Sequence, residues 1–590
     1  MTTHEPNVAA VQHIRNDTEV KFDVTTIPFS RRGSWLNLSP VVALHTMEPD
    51  VHLVSHISGM HAVLRITPRH EGDQVDTSVY GNAAVLTWEG TTGRAEAVFE
   101  SVNRIRFRGK GFNLRFAEAD SELTPFTGTY LYRDPIDGSG VYTSYETGRR
   151  YRITALTGEL HFEGAEALGR AQRWVEARGD HWEVVVEEFR TSRPTYQTEM
   201  TFDEIHRHVA TEFHDFLDSV APWRSEEVPA TPLAAYVLWS AVVSPAGFLE
   251  REGVLMSKHW MDKVWSWDHC FNALALGEGD PQLAIDQFLL PFDHQTGTGA
   301  LPDSVTHSEK LYNYVKPPIH GWAYTLLGQL VSDEMLRPVI PEIYDRLAAW
   351  TRFWLDSRRV PGHALPHYQH GNDSGWDNAT TFDYDRVIES PDLAAFLLIQ
   401  LRVVTELARQ CAEADPANVD RFVADIERWS VETDEISAGL SELWRDGEYV
   451  AISVETEREA KRSSLLTLLP IILGEKLSPT VSDALAERIG AHLTDYGIAT
   501  EMIDSDDYEA DGYWRGPIWA PSTVLIEDGL RRAGHHHLAD LIRSRFLRLC
   551  EKSGFAENFD AVTGDGLRDR AYTWTAAAYL IFARARAKAH

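Results

Sequence analysis

Between residues 391 and 413 the chain reads PDLAAFLLIQLRVVTELARQCAE, with a proline at its start and apolar side chains returning every three or four residues. That period is the signature of a helix buried along one face, and proline is well placed in a first helical turn. Similar stretches surround it. Candidate helices fall near 232–246, 266–278, 281–294, 319–332, 336–357, 391–413, 417–442, 463–473, 480–494, 518–532, 536–551 and 572–588, joined by turns rich in Gly and Pro. An even set of helices suits consecutive hairpins closed into a ring, so an (α/α)6 barrel is expected over residues 231–590.

Upstream the period changes. HWEVVVEEF at 181–189 is strand-like, Ala83–Phe99 reads as two strands around the turn Glu89–Arg94, and Tyr151–Phe162 reads as a pair around Thr157-Gly158. Strands and turns at such short intervals predict an antiparallel β-sandwich over residues 1–200. Thr201–Val220 has helical periodicity and serves as a linker covering 201–230. A chain of 590 residues exceeds what one compact core supports, which agrees with this multidomain β + α reading.

Composition narrows the function. A formal charge of −32 argues against nucleic acid and anionic membrane as partners, because their phosphates would be repelled. No apolar run is long enough to cross a bilayer, and Met1–Val20 lacks the apolar core of a secretory signal. Cys270, Cys411 and Cys550 are odd in number and lack metal-ligand spacing, so free thiols in a cytoplasmic protein are expected. The 18 Trp and 20 Tyr supply flat faces suited to sugar rings as well as to a core.

Two segments carry carboxylates in Gly-containing, aromatic-flanked loops: His370–Asn378 (HGNDSGWDN) and Ala556–Asp560 (AENFD) followed by Thr563-Gly564. Splitting a glycosidic bond with inversion needs two such carboxyls, one to protonate the leaving oxygen and one to activate water. Three more segments lead into candidate helices: Trp265–Asp268 (WSWD), Lys316–Trp322 (KPPIHGW) and Asp511–Trp519 (DGYWRGPIW). In a helical ring alternate loops meet at one mouth, so the five can converge. Asp134–Gly140, Asp504–Asp511 and His535–His537 read as turns and a loop rather than metal sites. No phosphate-binding Gly loop and no Ser-His-Asp signature is present, and no cofactor is required.

The motifs Asp373–Asp377 (DSGWD), Tyr513–Trp519, Glu557–Asp560 with Thr563-Gly564, Trp265–Asp268, and Pro317-Pro318 with Gly321-Trp322 resemble, in order, those of the inverting α-glycosidases of glycoside hydrolase family 63, which are kin to the trehalases of family 37. The resemblance covers about 230–590. It implies Asp377 as general acid and Glu557 as general base, at a carboxyl separation of roughly 6.5–9.5 Å. Glu501 is the rival base. Asp268 is implied to grip sugar hydroxyls with Trp265 or Trp267 as a stacking wall. Arg515 reaches a hydroxyl or a catalytic carboxylate, or else forms a structural ion pair. Trp376 and Trp514 flank the site, and Asn372, Asp373, His320 and Trp322 are candidates for its wall.

The function expected is an exo-acting α-glucosidase acting on a small carbohydrate. Hydrolysis of mannosylglycerate, glucosylglycerate or trehalose stands second. A sugar epimerase or isomerase, or a non-catalytic carbohydrate-binding protein, is the alternative from another class.

Overall fold

The computed structural model describes residues 20–43, 46–119, 129–165, 172–191 and 193–589. The reading of Met1–Val20 lies outside these residues except for Val20 itself. Among the described residues, strands between Phe22 and Phe189 form one antiparallel sheet of fourteen strands. Its organiser is the long strand Trp174–Phe189. On one edge its first residues pair with Asn113–Glu118 and its later ones, from His181 to Glu187, with Arg104–Lys110. Strand Arg150–Glu163 follows the other edge, slipping register between Ala155 and Glu159. At that slip Gly158 has φ +80°, and a Cβ there would lie 2.4 Å from the Arg178 carbonyl oxygen. The slip and the glycine bend the sheet on itself. Phe107 and Phe116, from the two strands sharing that edge, meet edge to face at 5.1 Å inside the bend.

Helix Phe202–Val220 carries the chain onward. Thr201 caps it reciprocally with Glu204: the Glu204 amide donates to Thr201 Oγ1, and the Thr201 amide donates to the Glu204 carboxylate.

Among the described residues the twelve main helical segments that follow stand one at each place the periodicity predicts, with shorter helical turns between them. Six form an inner ring: His269–Leu276, His320–Leu327, Pro391–Ala414, Leu465–Lys476, Ala520–Arg532 and Thr573–Ala589. Each packs on the next, and the last packs on the first, so the ring closes. Thr231–Ala241, Pro281–Leu289, Ile340–Arg352, Val419–Glu442, Pro479–Ala491 and His536–Ser553 alternate with them in sequence and lie outside. Every residue of His269–Leu276 is buried, as an inner position demands, whereas Val419–Glu442 buries only one face. This is the (α/α)6 barrel. The fourth inner segment winds as a 3₁₀ helix, because Pro470 lacks a donor and Gly474 breaks the run at φ +59°.

Sheet and barrel are tied by backbone and by buried charge. Gly33 donates to the Val242 carbonyl, and Ser244 donates back to that of Gly33. Lys258, wholly buried, donates to Ser30 Oγ at 3.0 Å and to the Ser34 carbonyl at 2.6 Å. Burial drives its pKa well below that of a free lysine. His56 of the sheet pairs with Asp262 of the barrel at 3.1 Å.

Candidate active site at the mouth of the barrel

Each outer helix returns the chain to the same end of the ring, so all six inner helices start at one rim. The segments that precede them therefore share that rim. They hold the five motifs with carboxylates or aromatic clusters singled out above.

The His370–Asn378 segment is built as a short, heavily bonded turn. Gly371–Ser374 forms one helical turn, its first amide bonds met by the His370 ring and its end by Gly375 in the left-handed region. Asp373 holds the turn in place: its carboxylate accepts from the Val315 and Gln369 amides and from Arg358 at 2.8 Å. Gly375 lies flat on the Trp267 ring, where a Cβ would approach to 2.6 Å. Gly375→Ala is expected to lower stability by about 1–3 kcal/mol, from the clash and from the positive φ together, as a fall in the denaturation midpoint. Asn378 then joins this loop to the next motif, donating to the Gly512 carbonyl and accepting from the Trp514 amide, each at 3.0 Å.

Asp377 emerges from this frame with its side chain 28% exposed, 3.8 Å from Lys316 Nζ. Lys316 is itself buried and meets Asp303 at 3.2 Å and the Asn372 carbonyl at 2.9 Å. Burial raises the Asp377 pKa, with Asp303 adding to the effect and Lys316 and His370 opposing it.

Glu557 comes from the loop before the last inner helix. Its amide donates to the Asp569 carbonyl at 2.7 Å, and the strand Asn558–Phe559 pairs with Gly566–Leu567. Phe559 also exchanges backbone bonds with Ile518, joining the loops before the fifth and sixth inner helices. The side chain is buried, and Oε2 has no partner. Burial pushes its carboxyl up to about 8, helped by Asp569 and Asp377 and opposed by Arg568. Asp268 is also buried with Oδ2 unpartnered, and burial raises it to about 8, with Lys316 opposing and Asp303 and Asp377 adding. Tyr513 senses the charges of Glu557, Asp377 and Asp268 together. It has φ +64°, and Arg568, at φ +61°, lies 5.0 Å over its ring. Two left-handed, non-glycine residues in contact beside three carboxyls are a costly arrangement of the kind that clusters at functional sites.

Other expected residues turn out to build the frame. Arg515 pairs with Asp383 and donates to the Asn378 carbonyl, the structural ion pair weighed from sequence rather than a group for substrate. His320 sits among Phe288, Phe292 and Trp350 and bonds to the Ser266 carbonyl, in the packing between inner and outer helices. Trp322 lies on Phe271 and reaches across the ring to Asp528 at 2.9 Å, so it closes the interior rather than lining the rim. Trp376, Trp514 and Trp519 stack on one another, with centroids at 4.7 and 4.0 Å, and Trp267 meets Trp574 edge-on. All five rings are buried, which makes them an apolar backing for the carboxyls rather than open platforms. Trp265 is only half-buried, on the short strand that pairs with Ser304-Val305. Asn372 offers its carbonyl to Lys316. Glu501 is fully satisfied by Thr380 and Ser505 hydroxyls, unlike Glu557.

Sequence reasoning passed over Lys316 as a site group, and also Asp303, Tyr513, Arg568 and the Asp569–His259 pair at 3.2 Å. Tyr513 stood inside a motif and had that signal. Asp303 had none. Among the described residues no group of three His, Cys, Asp or Glu side chains has a metal-binding arrangement. The three cysteines are buried free thiols, and among the described residues no helix is long and apolar enough to cross a membrane.

An alternating helical ring with buried carboxyls at its rim suits a glycoside hydrolase. Residues 261–575 match the family model of the mannosylglycerate hydrolase MGH1-like glycoside hydrolase domain, and the chain belongs to that group of glycoside hydrolase family 63. It is similar to the mannosylglycerate hydrolase of Rubrobacter radiotolerans, at 24% identity over 412 residues, 54% of this chain and 89% of that one. The mannosylglycerate hydrolase of Thermus thermophilus is 24% identical over 393 residues, covering 54% and 94%. In fold the whole chain resembles a bacterial glucoamylase solved with acarbose, at TM-score 0.62 and 11% identity over 95% of this chain and 94% of that one.

Proposed function

We propose that this enzyme is an inverting α-glycosidase whose substrate is a small hexosyl solute, with mannosylglycerate and glucosylglycerate ahead of α-glucosides. Asp377 is the general acid and Glu557 the general base. The observation that carries the reading is that two of the buried carboxylate oxygens left without a partner, Asp268 Oδ2 and Glu557 Oε2, belong to the rim that Asp377 also faces. Buried acceptors without donors are costly. Sugar hydroxyls and a water supply those donors. That both relatives are mannosylglycerate hydrolases supports glycerate as the aglycone and moves the α-glucoside preference read from sequence to second place. Arg568, a partly exposed cation at the rim, is the group suited to such an anion, and isolated motifs did not reveal it.

In this mechanism Asp377 gives its proton to the glycosidic oxygen as the bond to the anomeric carbon breaks. Water attacks that carbon from the opposite face, and Glu557 takes the water's proton. The sugar leaves as the β-anomer. Burial leaves Glu557 with a high proton affinity until a donor reaches Oε2. A hydroxyl or water bonding to the charged form lowers the pKa again, so binding itself readies the base.

The kcat/KM profile is therefore expected to be a bell with both limbs above the ordinary carboxylate range. The raised Glu557 carboxyl lifts the acidic limb above the usual 4.5, so that activity falls as pH drops toward it. The pair titrates with macroscopic values that belong to both groups. A limb near 4 would break the assignment. Time-resolved proton NMR on mannosylglycerate, glucosylglycerate, trehalose and α-glucosides tests the rest. Early β-anomer from a glycosylglycerate supports the proposal, whereas early α-anomer overturns the inverting pair. Turnover of α-glucosides alone overturns the aglycone.

A further inference from the structure

The geometry points to Lys316 as a positioning residue for catalysis: an ammonium fixed beside Asp377 to stabilise the carboxylate that appears when the acid gives up its proton. This rests on Asp377 being the acid. Two contacts of the ammonium are taken by fixed acceptors, Asp303 at 3.2 Å and the Asn372 carbonyl at 2.9 Å. What remains of it faces Asp377 at 3.8 Å, too long for a full hydrogen bond and near enough for strong attraction.

The setting makes that attraction count. Lys316 is wholly buried, and its partner Asp303 is nearly so. The backbone on both sides is fixed: Val315 donates to Asp373, and Pro317 and Pro318 follow. The ammonium therefore does not swing away as charge develops. The other charged and titratable groups that act on Asp377, or that it acts on, are Asp303, His370, Asp268, Tyr513 and Glu557. Four of the five are anionic or become so, and in each charged state they oppose loss of the proton. Lys316 is the cation set against them. In chemical terms the O–H bond of Asp377 breaks, the proton goes to the leaving alcohol oxygen, and the electron pair left on the carboxylate is held by the ammonium.

The test compares Lys316→Met with Asp377→Asn on an O-glycoside and on the matching glycosyl fluoride, whose leaving group needs no proton. Lys316→Met is expected to lower kcat on the O-glycoside about 10- to 100-fold and to spare fluoride hydrolysis. It is also expected to move the alkaline limb of kcat/KM upward by about 1–3 units, as loss of a neighbouring opposite charge requires. Lys316→Arg should restore part of the rate and most of the limb. Equal losses on both substrates with an unmoved limb would overturn the proposal and leave Lys316 a structural group. Asp377→Asn separates the two readings: if it loses the fluoride along with the glycoside, the acid assignment itself fails. If Lys316→Met does not fold, Lys316→Gln replaces it and must show the same upward shift of the limb; an unmoved limb in that variant overturns the proposal.

Discussion

Replacing Asp377 by asparagine is expected to cut hydrolysis of the best O-glycoside by about 10²–10⁴-fold in kcat, with little change in thermal stability. Asparagine keeps the shape and removes the transferable proton. The side chain is 28% exposed and makes no hydrogen bond that holds the loop, since Asp373, Asn378 and Gly375 do that work. Steady-state kinetics with a denaturation midpoint on the same preparation checks both halves. A large loss of stability would mean that Asp377 is part of the frame.

The Glu557→Gln variant is expected to lose activity on the same scale while gaining stability. Glu557 is buried, and its Oε2 has no donor, so its charged form is penalised in the folded state. Its folded pKa of about 8 lies above the ordinary 4.5 of a glutamate. A carboxyl of that kind costs nothing below pH 4.5, where both states hold the proton. Its cost grows as pH rises from 4.5 to 8 and is constant above 8. The variant should match the parent at pH 4 and exceed it increasingly up to pH 8, by an amount on the order of a few kcal/mol. A gap that shrinks with rising pH would contradict the burial argument. Gains of this sort are common where function requires a strained or charged site.

Much of the architecture was legible because burial writes a period into the chain. All twelve helices lie where that period placed them, and their alternation between inner and outer positions follows from hairpin connectivity. The ends differ for local reasons: Asp268 and Trp519 hold extended or capping positions, so the helices start one to three residues later than expected. The 3₁₀ winding of Leu465–Lys476 needed the backbone, since proline and glycine mark a break without giving its form.

The site was legible only in part. Carboxylates in aromatic, Gly-containing loops stood out at Asp377 and Glu557. A motif does not say which way a side chain points, and so Trp322 and His320 could be read as wall although they face the core, and Arg515 left open between a substrate or carboxylate contact and the ion pair it makes. Asp303 and Lys316 form their pair across a gap of thirteen residues with no pattern to announce it.

Lys258 bears on how this protein can be dissected. A lysine amine in a dry interior is tolerated only where its donors are met, and here Ser30 and Ser34, in the arm that leads into the sheet, accept from it beside the Val242 carbonyl of the barrel. Cutting the sheet away would expose that socket and strip the amine of its two shorter contacts, Ser30 and Ser34, next to the backbone pairing of Gly33 with Val242 and Ser244. The two halves are therefore not interchangeable cassettes. A chimera that grafts this barrel onto another sheet must carry the Phe29–Trp35 arm with it, as a key travels with its lock.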